Sequence, residues 1–219
     1  MSKGNFREKR MLKIWGRNTS SNVQKVMWAV GELGLRHERI DVGGAFGKNR
    51  EAEYLAMNPN GLVPTLQEDD GFLLWESNSI VRYLAAKNDT SGVLEPKDLR
   101  QRAVASQWMD WQLSVCGPAI TPLFWGLIRT PPDKRDLAAI KAGRDKTVDA
   151  MTLLDQRLSK SDYVAGPTFS YGDIPVAIMC YRYVQLVPDR PATPHLDRWY
   201  AAVSSRQAFK DHVGAVPLT

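Results

Sequence analysis

Hydrophobic positions change their period once along this chain, and the change divides it in two. Up to residue 88, short apolar runs alternate with one clear helical stripe. Leu12-Lys13-Ile14-Trp15 reads as a strand, and Gly16 to Ser21 as a polar loop. Val23, Val26, Met27, Val30 and Leu33 then recur at helical spacing and stop at Gly34. Arg36 to Asp41 is a second, charged strand, which completes a β-α-β unit with an expected right-handed crossover. Glu51 to Met57 predicts a short helix. Thr65-Leu66-Gln67 and Phe72 to Trp75 predict a hairpin around Asp69-Asp70-Gly71, and Glu76 to Lys87 a closing helix.

Beyond Asn88 the two-residue alternation is gone. A polar link, with Asp89-Thr90-Ser91-Gly92 and Glu95-Pro96, separates the halves, and everything after it reads helical. Leu99, Ala103, Trp108, Trp111 and Val115 mark a long helix that Gly117-Pro118 and Pro122 are expected to kink or end. Leu137, Ile140, Val148, Met151, Leu154 and Leu158 mark another. Ser170-Tyr171-Gly172-Asp173 is a capping box in its acidic form, flanked by Phe169 and Ile174 as a hydrophobic staple. It starts a helix over Ile174 to Tyr183; Pro194 to Val203 gives a further one, and a frayed C-terminal segment follows. The predicted organisation is an extension at 1–10, expected to be disordered, an α+β domain at 11–88, a linker at 89–97 and an all-helical domain at 98–219.

Charge changes this picture little. The net +5 of the 219 residues suggests nucleic acid only until it is located: residues 1–10 hold four bases against one acid, so the other 209 carry +2. Interspersed signs argue against a nucleic-acid partner. No segment is long and apolar enough to span a bilayer, and no apolar run follows the basic start, so no membrane partner and a cytoplasmic location are expected. Cys116 and Cys180 stand too far apart for a metal pair, and His37, His195 and His212 show no ligand spacing; no metal is expected. Gly43 to Asn49 imitates a phosphate loop but is one residue short and lacks the final hydroxyl residue, and reads as a flexible connector.

Chemistry concentrates between Asn58 and Ser77. Pro64 has no N–H and pushes Val63 into extended geometry, leaving the Val63 main chain able to pair with an extended ligand as an added strand would. Glu76-Ser77 opens a helix, where free N–H groups favour a carboxylate and the acid favours an ammonium. The reading with no ligand makes Val63-Pro64 a tight turn, Glu76 a surface acid and Ser77 a helix cap. The coincidence of all three favours a small-peptide site.

With Trp15-Gly16-Arg17, Asn58-Pro59-Asn60-Gly61-Leu62-Val63-Pro64, Glu76-Ser77 and the box at Ser170 to Asp173 in this order, the chain from Met11 to about Val213 resembles the cytosolic glutathione transferases, in particular bacterial serine-type, theta-like members. The resemblance implies a thioredoxin-like glutathione-binding domain followed by an all-α domain, a homodimer, and glutathione as co-substrate for a hydrophobic electrophile. It implies a cis Val63–Pro64 bond, Val63 pairing with the cysteinyl part of glutathione, and Glu76 and Ser77 holding the γ-glutamyl end.

Tyrosine-type members place their tyrosine just after the first strand, whereas the first tyrosine here is Tyr54. The residue aligned with the serine or cysteine of other members is Ser20, with Ser21 and Asn22 close by. A thiol is only about 3% ionised at pH 7, and lowering its pKa by about two units takes about 2.7 kcal/mol. A hydroxyl donating to the anion supplies about 1.5–3 kcal/mol and a helix N-terminus up to about 2, so no histidine base is needed. Ser20 is therefore expected to hold the thiolate, with Asn22 as the alternative donor or a mere cap. Serine at this position disfavours disulfide reductase chemistry, and Asn22 replaces the cysteine of a Ser-Ser-Cys isomerase. Arg17, Trp111 and Val115 are the expected electrophile contacts, with Arg17 facing an acidic group and Trp125 as a further apolar wall. Peroxidase action on organic hydroperoxides and a non-catalytic binding or assembly module are the alternatives.

Overall fold

A computed structural model describes residues 11–219; the extension expected at 1–10 lies outside the described residues. The first half holds β1 (Leu12–Trp15), α1 (Ser21–Glu32), β2 (His37–Ile40), α2 (Ala52–Met57), β3 (Thr65–Gln67), β4 (Leu73–Trp75) and α3 (Ser77–Asn88). The strands form one sheet in the order β2-β1-β3-β4, parallel only between β1 and β2. Leu12 and Ile14 alternate with exposed Lys13, so β1 turns its apolar side to the core. The second half holds α4 (Leu99–Trp111), α5 (Gly117–Phe124), α6 (Leu137–Leu158), α7 (Asp173–Leu186), α8 (Pro194–Ser204) and the short α9 (Gln207–Phe209). The α+β-then-all-α arrangement is the expected one.

Neither Gly117-Pro118 nor Pro122 ends the long helix. Residues Gln112–Cys116 widen into a π turn that carries α4 directly into α5. The wider turn shifts the hydrogen-bond register just ahead of Pro118, which has no N–H to offer. Leu99 and Leu137, expected in packing stripes, are each 73% exposed at the first position of their helices. Asp98 and Asp136 cap those helices instead, accepting from the Gln101 and Ala139 N–H groups at 2.9 Å each.

At the box, the Asp173 carboxylate reaches back to the Ser170 N–H at 2.9 Å, as expected. The Ser170 hydroxyl donates to the same carboxylate at 3.2 Å rather than accepting the Asp173 N–H. Asp173 also takes the Val164 N–H at 3.0 Å and the Trp199 Nε1–H at 2.9 Å, which ties the loop before α7 to α8.

The helix α1 is wedged between sheet and bundle. Trp28 is fully buried, 6.0 Å from the Phe169 ring and 5.1 Å from Phe209, and its Nε1–H donates to Glu32 at 2.9 Å. Glu32 receives both arms of Arg206 at 2.6 and 2.7 Å, and that guanidinium lies 3.9 Å over Phe169. Arg82 makes an interdomain ion pair, donating to Asp110 and to the Ser106 carbonyl. These contacts set where the start of α1 stands relative to the helical domain.

Candidate active site

The sheet register gathers the sequence-predicted residues at one end. Thr65 pairs with Trp15 on one side and Trp75 on the other. The residues just beyond that row are Gly16-Arg17, Val63-Pro64 and Glu76-Ser77. Gly16 is what allows this: at φ 154°, a Cβ there would fall 2.4 Å from Val23 Cγ2 and 3.2 Å from Val63 Cβ.

The Val63–Pro64 bond is cis. Tyr54 donates to the Leu62 carbonyl at 2.7 Å, and Asn58 Nδ2 donates to it at 2.9 Å. Asn49 holds the Gly61 carbonyl at 2.8 Å. The loop is thus pinned up to Leu62. Among the described residues, neither the N–H nor the C=O of Val63 takes a partner. Tyr54 and Asn58 as loop anchors escaped the sequence reading, although Asn58 stands inside the quoted motif.

Glu76 precedes α3 at φ 71° and ψ 109°, a conformation rare for a side-chain-bearing residue, and its carboxylate makes no bond to the helix start. Ser77, the first residue of α3, is buried, and its hydroxyl has no hydrogen-bond partner among the described residues. A main-chain pair, a carboxylate and a hydroxyl are therefore left open at the same end of the sheet.

Ser20 is the N-cap of α1, with its backbone extended and its C=O accepting the Gln24 N–H at 2.9 Å. Its side chain is largely buried, yet does not cap the helix and donates to no described residue. Asn22 is the second residue inside α1, so it does not cap; it borders, with Ser21, an interdomain cleft of about 450 Å³. Across that cleft stand Gln112, Thr121, Met179 and Arg182.

Arg17 lies along the backbone of Gly44, where a Cβ would come within 2.9 Å of its Cδ and Nε. The stretch read as a flexible connector is here a closed turn, with the Gly43 N–H on the Gly47 carbonyl at 2.7 Å. Burial lowers the Arg17 pKa, and Arg129 lowers it further. Arg182, 4.1 Å over the Phe124 ring, is pushed down to about 10 by burial and then by Arg129 and Arg17. Three guanidinium groups from three elements thus sense one another, and neither Arg17 nor Arg182 has a carboxylate partner among the described residues.

Trp111 and Val115 are not brought to this cleft. Trp111 packs edge-on against Trp108 at 4.9 Å and borders a groove with Ser106 and Asp110. Val115 borders a separate groove against Lys146 and Leu153 of α6. Trp125 is exposed beside Arg129. Helical spacing put Trp111 and Val115 four apart on one face, but a π turn begins at Gln112, between them, and they border different grooves. Cys116 and Cys180 are buried free thiols. No helix among the described residues is long and apolar enough to cross a membrane.

Residues 19–87 match the model of the glutathione S-transferase N-terminal domain, and residues 117–207 that of the C-terminal domain. Glutathione S-transferase GstB of Escherichia coli strain K12 is 42% identical over 201 residues, covering 91% of this chain and 96% of that protein. The structure of a theta class glutathione S-transferase from Xanthomonas axonopodis pv. citri with glutathione bound is similar with a TM-score of 0.90 and 42% identity, over 95% of this chain and 99% of that one. Glutathione transferase F7 of Populus trichocarpa is similar with a TM-score of 0.82 and 26% identity, over 94% and 99%.

Proposed function

We propose, from the premise that this chain belongs to the glutathione S-transferase family, that it joins the thiolate of glutathione to an electrophilic carbon of a small molecule. The unpartnered Val63 main chain, Glu76 and Ser77 support a glutathione site: the first suits the cysteinyl backbone, the other two the γ-glutamyl ammonium and carboxylate. The Xanthomonas relative has glutathione bound. A homodimer and a cytoplasmic location belong to the same proposal.

The observation that carries the chemistry is the free hydroxyl of Ser20 at the N-cap of a 12-residue helix. It donates to the thiolate, while the first N–H groups of α1 add their field to the same anion. Ser20 is a hydrogen-bond donor here and not a nucleophile. Titration of bound glutathione by thiolate ultraviolet absorbance tests this. Ser20→Ala is expected to raise the thiol pKa by about 1–2 units, and Asn22→Ala to leave it in place. An unmoved pKa in Ser20→Ala removes Ser20 from the mechanism, and no binding of glutathione by the wild type removes the transferase reading.

The electrophile then lies in the cleft beside Ser21, Asn22 and Arg182, with Arg17 within electrostatic reach of Arg182. Arg17 and Arg182, which have no carboxylate partner among the described residues, favour a substrate that carries a carboxylate. Arg17→Gln is expected to lower kcat/KM for 4-chloro-3-nitrobenzoate about tenfold, with less than about threefold change for the matching benzamide. Equal losses on the two would show that Arg17 does not read the charge.

A further inference from the structure

Lys25 and Gln112 are left unused by this chemistry, and both are buried at the seam between the halves. Lys25 on α1 is fully buried, and its Nζ donates to Gln112 Oε1 at 2.6 Å across the domain boundary. A lysine amine offers two or three N–H groups, so it selects the carbonyl arm of the Gln112 amide. The Nε2 arm must therefore face the other way. Gln112 opens the π turn, and the residue one turn on is a glycine: a Cβ at position 117 would lie 3.0 Å from the Gln112 carbonyl oxygen and 3.3 Å from its Nε2. Gly117 makes the room in which this amide sits. Gln112 is only 4% exposed, yet no described residue accepts from Nε2, and the side chain borders the cleft opposite Ser21 and Asn22. An amide held by one arm, with its donor arm free of any described protein partner at the edge of a substrate cleft, is a fixed donor that a ligand in the cleft can use.

We infer that Gln112 Nε2 donates a hydrogen bond to an oxygen of the electrophile on which negative charge develops, and that Lys25 is the positioning residue that keeps this donor turned into the cleft. The inference rests on the transferase reading and concerns only electrophiles that build an oxyanion, such as α,β-unsaturated carbonyl compounds. In the step, the thiolate sulfur forms a C–S bond at the β-carbon, and the C=C pair moves through the carbonyl to its oxygen. The resulting enolate takes a proton from water at the α-carbon, which replaces the one lost when the thiol ionised. Gln112 Nε2 is placed for the oxygen stage, where a preorganised donor has its largest effect.

Gln112→Glu is the informative variant, because the carboxylate keeps the bond to Lys25 and replaces the Nε2 donor by an acceptor. It is assayed with glutathione against an α,β-unsaturated ketone and an alkyl iodide of similar size, whose charge leaves on iodide. Expected is a loss of about 10- to 100-fold in kcat/KM for the ketone and less than about threefold for the iodide. Lys25→Met is expected to shift the same ketone-to-iodide ratio in the same direction by a smaller factor. Equal losses on both substrates, or none, would overturn the inference while leaving the transferase reading intact. A wild type that binds glutathione by calorimetry and turns over the iodide keeps the two questions apart; one that does neither sinks both. Should Gln112→Glu fail to fold, Gln112→Met removes the donor together with the Lys25 bond and is read by the same ketone-to-iodide ratio.

Discussion

Asp173→Ala is expected to cost about 4 kcal/mol of unfolding free energy, measured by urea denaturation at pH 7. The carboxylate is fully buried and accepts from two main-chain N–H groups, the Ser170 hydroxyl and the Trp199 indole. Burial pushes its pKa up to about 6, against the pull of these donors, so at pH 7 the group is still mostly ionised. Truncation removes a charged acceptor and orphans four buried donors at once. Asp173→Asn keeps a carbonyl and is expected to lose about half as much. A loss below about 1 kcal/mol for the alanine variant would mean that water reaches these donors or that the loop relaxes onto other partners.

The second large effect is a dependence of stability on pH. Burial pushes Lys25 down to about 7; Glu76 raises it, Arg182 lowers it, and Cys116 raises it. An unfolded chain protonates the same amine up to about pH 10.4. Between these limits the unfolded state holds more protons at this site, so stability rises with pH through the window. Compared with Lys25→Met, the wild type is expected to gain about 3 kcal/mol between pH 6.5 and 9.5. The comparison cancels titrations common to both proteins. Parallel pH profiles for the two would show that the amine stays charged inside the fold.

Much of this molecule could be read from its residues because the signals were local. A strand followed by a helical stripe from Val23 to Leu33 needs only side-chain periodicity, and the acidic box at Ser170 to Asp173 carries its own bonding logic over four residues. The open main chain at Val63 followed from Pro64 alone. What could not be read depends on hydrogen-bond register and on pairs distant in sequence. A proline and a glycine ordinarily announce the end of a helix, and nothing at Gln112 to Cys116 says that a wider turn will absorb them. Trp111, which precedes that turn, and Val115, inside it, border grooves other than the cleft. Lys25 sits in a stripe where a charged residue reads as solvent-facing, and its partner lies 87 positions away. Likewise, three arginines at positions 17, 129 and 182 share no motif, and only the fold brings the β1–α1 loop, the turn after α5 and helix α7 within electrostatic reach of one another.

The clamp of Trp28, Glu32, Phe169 and Arg206 has a bearing on how such a protein can be recombined. The polar link at 89–97 looks like the natural place to exchange halves between relatives, yet α1 is fastened to the bundle through its second half while Ser20, at its N-cap, carries the hydroxyl proposed to hold the thiolate. A crossover at the linker would graft a foreign bundle onto a helix whose buried seam was shaped for another, and would move the start of α1 with it. The unit that must be inherited together is therefore α1 with its bundle contacts, not either half of the chain.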